Sequence, residues 1–556
     1  MADLNKTGYN PTTINRPRSV FRYNKRHITT MEVGDLVPIQ CEEVLPGDTW
    51  HIDSVASVVK AALPFVSPVY GDLTLSLEAF FVPMRLVWDH WFQFCGQNED
   101  GAWTESNNYV IPKGVYKYSE SNGNPNEVQV LMRSVGSYLG LPVITGNNLA
   151  NRYIAVNELP MRAYCRIWNE YYRNENTDQP ILINYGDAMN SNNVFSYNRV
   201  PLKSRRFHDY FSNALPAPQK GPSVNLPVST GMLPLKTTSD NIGLFATGDK
   251  ALYVRSDASG NKLTSNTALN LAEGQTIKGL AADASAQLVG TINQLRLAAQ
   301  TQVFYETCAR FGTRYNELTY GLFGVDTGDT RAYRCEHLGG VNIPLNFQEV
   351  VATSSSATDS DSKYALGQQT VKSATADLSS LYLKSATEHG YVMIMATIRY
   401  QHQYSQGIER KWKRNTFLDF YNPIFDNLGE TPVMASEIFA LDNVKESQTG
   451  GQKTYEDKPN VFGYQEAWAE YRYWPDTVSG FMRPIQDGLP TMTFSDYYDE
   501  TPTLNGFMAE QPENVKRTFA LTDQKFDFMC DFVINGKVAR PMSVRSIPGL
   551  TDHHGI

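Results

Sequence analysis

The sequence predicts a mainly β protein, with strands at both ends of the chain and helices in the connections between them. Three stretches carry that expectation. In DLTLSLEAFF (72–81), Leu73, Leu75, Leu77 and Ala79 recur at every second position, the period of a strand with one buried face. EHGYVMIMATIRYQH (388–402) is apolar on both faces, as for a strand covered on both sides. KFDFMCDFVINGKVARPM (525–542) alternates Phe526, Phe528, Cys530, Phe532 and Ile534, then reaches Asn535-Gly536, the strongest short signal for a hairpin.

The other elements follow in chain order. Residues 1–30 carry Lys6, Arg16, Arg18, Arg22, Lys25 and Arg26 against one acid, Asp3, with little apolar periodicity. This predicts an extended basic arm over 1–32. Such arms meet nucleic acid because Lys and Arg displace counterions from phosphates; a solvated terminal tail is the alternative. From residue 33, VGDLVPIQCEEVLPGDTWHID is strand-like and punctuated by Pro46-Gly47. After the 72–81 strand, Pro83 opens a short helix with Leu86, Val87, Trp91 and Phe94 on one side. LPMRAYCRIWNEYYRNEN (159–176) is the clearest helix, with Met161, Tyr164, Cys165, Trp168, Tyr171 and Tyr172 at helical spacing. That stripe reads as core packing rather than a metal or cofactor site. Further helices are expected over 291–310 and 315–322. Two stretches, 228–290 and 353–378, are rich in small polar residues and read as surface insertions.

Composition bounds the function. Of the 556 residues, 41% are apolar and 19% charged, enough for a buried core and against wholesale disorder. The 31 tyrosines suit interfaces and strands equally. A net charge of −9 argues against a protein coated in nucleic acid but leaves room for a locally basic face. Cys41, Cys95, Cys165, Cys308, Cys335 and Cys530 are far apart, as expected of reduced thiols in a protein made in the cytosol. No signal-like or membrane-spanning stretch is present, so neither export through a cleaved signal nor membrane insertion is expected.

Signatures of common catalytic and cofactor sites are missing: there is no Walker loop, HExxH, GxSxG or EF-hand loop. His553 and His554 follow Asp552 without further ligands nearby. Glu42-Glu43 and Glu388-His389 are sequence neighbours, and strand neighbours point to opposite faces. No catalytic residue, metal or cofactor is expected. KSRRFHDYFSNALPAPQKGP (203–222) runs from a basic cluster through aromatics into a stretch whose Pro216, Pro218 and Pro222 forbid a regular ladder. Its His208-Asp209 adjacency is weak support for catalysis, and Asp209 beside Arg205 and Arg206 is most simply a local ion pair or a loop-ordering contact. The segment reads as an ordered structural connector or subunit contact carried by Arg205, Arg206, His208, Tyr210, Phe211, Pro216 and Pro218.

Several stretches together carry a family resemblance: RSVFRYNKRHITTMEVGDLVPI (18–39), FFVPMRLVWDHW (80–91), the 159–176 helix, HDYFSNALPAPQKGP (208–222), FGTRYNELTYGLFGV (311–325), FGYQEAWAEYRYWPDTVSG (462–480) and RPMSVRSIPGLTDH (540–553). In number and order they resemble the capsid-protein family of the Microviridae, small icosahedral single-stranded DNA bacteriophages, in its gokushovirus branch. The resemblance covers nearly the whole chain; Ala217 stands where relatives often carry an aromatic. It implies an eight-stranded antiparallel jelly roll, the viral coat β-barrel, over 33–556 with long helix-containing loops, and the role of a major capsid protein. It implies a T=1 shell of roughly sixty copies by closed symmetry. The implied partners are other copies of the chain, the single-stranded DNA genome, a small basic DNA-binding protein, an internal scaffolding protein, a DNA pilot protein and a host-cell surface receptor. The location is the virion, assembled in the cytoplasm of the host bacterium. Residues 228–290 become the protrusion at the threefold axes, and 353–378 a second variable loop. Arg16, Arg18, Arg22, Lys25 and Arg26 would face packaged DNA, or pair with acids on neighbouring subunits. On fold alone, a jelly-roll carbohydrate-binding module is the alternative.

Overall fold

The computed structural model describes residues 18–97, 109–117, 132–143, 153–187, 197–222, 292–311, 315–324, 333–351, 369–440, 444–449, 452–457, 460–520 and 525–545, apart from 427 and 486–487, with short pieces between 224 and 282. Ten strands build the centre: β1 (Ser19–Met31), β2 (Val37–Val44), β3 (Thr49–Ala61), β4 (Leu73–Pro83), β5 (Glu336–Leu345), β6 (Phe347–Val351), β7 (Gln369–Ser379), β8 (Tyr382–Ser385), β9 (Gly390–Tyr400) and β10 (Phe528–Arg540). One sheet has the order β1-β10-β3-β7-β6, with β8 also pairing to β3; the other has the order β5-β4-β9-β2. Every pairing is antiparallel. Four long strands from each sheet give the two-sheet jelly-roll order, with β1 to β4 alternating between sheets.

The pattern of apolar residues explains why the sheets pack. Ile52, Val55 and Val59 of β3 and Phe532 and Ile534 of β10 share a buried cluster with Leu75 and Leu77 of β4 and Ile394 and Ile398 of β9. Each such side chain is worth about 1.5–3 kcal/mol on full burial. The second sheet is covered on its other side as well. Phe80 and Val82 of β4 and Met393 and Met395 of β9 pack in a second cluster with Met161, Tyr164 and Cys165 of helix α1 (Leu159–Ile167). A π-helical turn, Trp168–Tyr172, extends α1. β9 is therefore covered on both faces, as its sequence predicts, and β4 is too, where alternation alone predicts one buried face.

Three expectations are corrected. Asn535-Gly536 makes no hairpin. β10 continues to Arg540, and the register shifts there, with Asn535 opposite Ser54 and Gly536 opposite Ile52, so Asp53 is an extra residue in β3. A side chain at 536 would place its Cβ 2.4 Å from the His51 carbonyl oxygen, which explains the glycine without a turn. Pairing with β1 and β3 along both edges outweighs the local turn preference. The basic arm, over its described part, is a strand: β1 pairs with β10 from Ser19–Arg540 to Met31–Phe528. Finally, the end of 353–378 is not a loop, because Gln369–Ser379 is β7, paired with β3 from Ala374–Lys60 to Ser379–Val55. Residues 353–368 lie outside the described residues.

The chain divides into two compact units, one of them spanning 219–312. That unit contains α2 (Ile292–Phe311) and two short antiparallel pairs, Leu235–Thr237 with Leu280–Ala282 and Leu244–Ala246 with Lys250–Leu252. The remainder of 228–290 lies outside the described residues. In the larger unit, α3 (Tyr315–Phe323) follows. All six cysteines are free thiols.

Candidate assembly surface

After β9 the chain leaves the sheet and forms an irregular strap over 404–428. Its root is fixed by backbone bonds: Tyr404 N–H donates to the Asp476 carbonyl at 2.8 Å, and Ile408 N–H to the Ser436 carbonyl at 2.9 Å. Short 3-10 turns shape the rest. Asp419 Oδ2 accepts from the backbone N–H groups of Asn415 and Thr416 at 2.8 and 2.7 Å, and these bonds lower its carboxyl pKa. Asn422 caps the Pro423–Phe425 turn by accepting from Ile424 N–H at 3.0 Å.

Beneath the strap lies a third buried cluster, holding Tyr210, Phe211, Tyr404, Val433, Ile438, Phe462, Tyr498 and Phe507. The HDYF segment joins the chain at this point. Phe211 meets the Tyr404 ring edge-on at 4.8 Å, and Tyr210 OH donates to Glu437 Oε2 at 3.1 Å. Asp209 Oδ1 accepts from Ser212 N–H at 2.7 Å, and Oδ2 accepts from Tyr404 OH. Leu215 exchanges both backbone bonds with Tyr464, at 2.7 and 2.8 Å. His208 is exposed and the Asp209 carboxylate is spent on these other groups, so the adjacency forms no pair. Pro216 is exposed and Pro218 half-buried, and Arg205 donates to the Arg173 carbonyl at 3.0 Å.

Arg206 is buried and anchors the segment. Its Nη1 lies 2.7 Å from Asp496 Oδ2, and its guanidinium sits 4.1 Å from the Phe507 ring centroid. Asp496 also receives Tyr400 OH at 3.0 Å, Tyr498 OH at 2.7 Å and Asn514 Nδ2 at 3.0 Å, with His402 Nδ1 at 2.9 Å. Burial opposes the charge on Asp496. Arg206 and His402 overcome it and hold the carboxyl far below the usual carboxylate range. Sequence reasoning paired Arg205 and Arg206 with Asp209; the true partner of Arg206 is 290 residues away, beyond the reach of local pattern.

The strap roofs a cleft of about 700 Å³ lined by Leu418, Phe425, Leu428, Pro432, Met434 and Trp468. Its cations are already matched. Arg410 faces Glu437 at 3.2 Å and Glu470 at 3.5 Å, Arg414 lies 3.4 Å from Glu470, and Lys413 donates to Ser436 Oγ at 2.8 Å. Trp468 has a left-handed backbone (φ 64°), unique among the described non-glycine residues, and its indole N–H donates to the Phe425 carbonyl at 3.0 Å. Such a conformation costs on the order of 1–3 kcal/mol and persists where surroundings fix it.

Outside the cleft several large apolar side chains are exposed among charged ones. Trp412, Phe417 and Ile424 on the strap, with Trp474 and Phe481 on the segment after Tyr471, are each 76–82% exposed. Single exposed apolar residues are ordinary, but a concentration of large ones marks a contact surface. No sequence period flags this region, because it is irregular.

The basic residues of β1 divide by face. Lys25 turns inward to Glu42 at 2.8 Å, while Arg26 pairs with Asp531 at 2.6 Å. Arg18 donates to Thr49 Oγ1 at 2.6 Å. Arg22 is exposed. Arg16 lies outside the described residues. Glu388, raised above beside His389, instead holds Arg85 at 2.7 Å. Among the described residues, no group of three or more His, Cys, Asp or Glu is arranged to hold a metal, and no helix is long and apolar enough to cross a membrane. His553 and His554 lie outside the described residues.

Residues 11–550 match the family described as "Capsid protein (F protein)". The capsid protein VP1 of Chlamydia phage 1 is 33% identical, covering 96% of each chain. VP1 of Spiroplasma virus 4 is 31% identical over 96% of this chain and 95% of its own, and VP1 of Bdellovibrio phage phiMH2K is 31% identical over 96% of each. A two-sheet jelly roll, several large exposed apolar side chains and a match along nearly the entire chain agree: this protein belongs to the phage capsid (F protein) family of the Microviridae and is a major capsid protein.

Proposed function

We propose that copies of this chain close into a T=1 icosahedral shell of roughly sixty subunits around a single-stranded DNA genome. The observation that carries this reading is the exposed apolar surface of the strap and of Trp474 and Phe481. Buried between copies, it supplies the aromatic anchors that dominate such contacts. Assembly takes place in the cytoplasm of the host bacterium with an internal scaffolding protein, and a DNA pilot protein and a small basic protein accompany the genome. The unit around 228–290 forms the threefold protrusion and meets the host-cell receptor; its small polar composition suits a solvent-facing tip. The role is structural rather than enzymatic. The Arg206 network and the HDYF connector hold the strap in place, so that these residues act in assembly through position.

Light scattering and electron microscopy of the chain co-expressed with its scaffolding partner test the reading. Closed shells, or pentamers that build them, are expected. A chain that stays monomeric with the partner present refutes it. Deleting roughly 240–285 is expected to preserve shells and impair attachment to host cells; loss of shells would refute the protrusion assignment.

A further inference from the structure

The sequence places the basic residues near the N-terminus in an arm, but the fold lays them on a sheet. Arg18, just before β1, and Arg22 and Arg26 on its outward face recur every fourth residue, and all three are exposed. In register, Arg22 lies opposite Lys537 of β10, and Lys537 lies opposite His51 of β3. These three side chains form a line across adjacent strands spaced about 4.8 Å apart. Like charges directly opposite one another destabilise a sheet. Arg26 is neutralised by Asp531, and His51 lies 2.9 Å from Asp53. Arg22 and Lys537 have no carboxylate partner among the described residues. Across the outward positions of β1, β10 and β3, the cations Arg18, Arg22, Arg26, Lys60 and Lys537 face only Asp53 and Asp531. The face is positive in a chain whose net charge is −9.

We propose that Arg22 and Lys537, directly opposite each other on β1 and β10, form a phosphate-binding pair for single-stranded DNA. This inference rests on the capsid reading. An anion laid across the pair offsets repulsion that the bare subunit bears. Exposed apolar side chains flank it, Val20 on β1 and Leu383 of β8 opposite His51, each about two-thirds exposed. Charge beside apolar surface suits a strand whose phosphates and base faces both need contact. No base code is offered, so binding is independent of sequence. The site extends beyond the basic arm that the sequence suggests: it uses Arg22, omits Lys25 and Arg26, which carboxylates hold, and adds Lys537 from a strand more than 500 residues away in the chain.

The test uses the full chain as Arg22→Gln/Lys537→Gln, with Arg22→Lys/Lys537→Arg as the charge-preserving control. Binding to a fluorescent oligothymidylate is titrated across salt. Each lost phosphate contact lowers the salt slope by about 0.7, so the neutral variant is expected to lose about 1.4. The gap in affinity between it and the wild type then changes by about sevenfold between about 50 and 200 mM salt. The control is expected to keep the wild-type slope. An unchanged slope in the neutral variant overturns the proposal. So does a neutral variant that loses binding to polyglutamate but keeps oligothymidylate binding, which would assign the pair to an acidic protein partner. Shell formation by the wild type is read separately by light scattering, so failure of the capsid reading and failure of this pair give different results.

Discussion

Asp527 offers the sharpest test of the energetics. It is fully buried immediately before β10, where its Oδ2 accepts from Val33 N–H at 3.0 Å while its Oδ1 has no hydrogen-bond partner among the described residues. Burial pushes its carboxyl up from 3.8 to about 6, against the Val33 N–H and Lys516, which pull it down. A carboxyl whose folded pKa is raised contributes stability fully present below the unfolded pKa and lost as pH rises through the folded one. A carboxyl moved from 3.8 to about 6 corresponds to about 3 kcal/mol. Asp527→Asn keeps an acceptor for Val33 and removes the charge. Urea unfolding followed by tryptophan fluorescence should show the variant gaining on the wild type by about 3 kcal/mol as pH rises from about 4 to about 7, with the gain levelling off above the folded pKa. A difference between the two proteins that does not change with pH refutes the reasoning, because the cost would then lie in packing rather than in a buried charge.

Three further outcomes are expected. Arg206→Met should cost about 3–5 kcal/mol in urea unfolding because it strands Asp496 in the interior, and combining it with Asp496→Asn should cost less than the sum of the two; additive costs would dissolve the pair. Phe417→Ser with Ile424→Ser should leave subunit stability within about 0.5 kcal/mol, since both are exposed, yet abolish shells in sedimentation; intact shells would remove the strap from the interface. Gly407→Ala should detach the strap, since its Cβ would stand 1.7 Å from the Glu437 carbonyl oxygen, and limited proteolysis should then cut within 408–428; a protected strap would show that the backbone yields.

Local pattern revealed individual elements better than their arrangement. The helical stripe from Met161 to Tyr172 and the doubly apolar run of β9 were readable because each is a periodic burial pattern within one element. The partners of those elements were not, because β1 meets β10 across more than 500 residues and Arg206 meets Asp496 across 290. Asn535-Gly536 misled because its turn preference is local while its ladders on both sides are not. The motif order along the whole chain supplied the jelly roll that periodicity could not. The assembly surface escaped altogether: Trp412, Phe417 and Ile424 have no regular period, and exposure is a property of the fold.

β1 ends its sheet, and its outer edge has no strand partner among the described residues. A thirteen-residue edge is a template on which a second chain could add by backbone pairing. Any copy approaching along it would bring its own Arg22, which no described carboxylate neutralises, so identical edges repel at that position. A free subunit is thereby guarded against stacking into fibrous aggregates, and the guard weakens with added salt, which screens it.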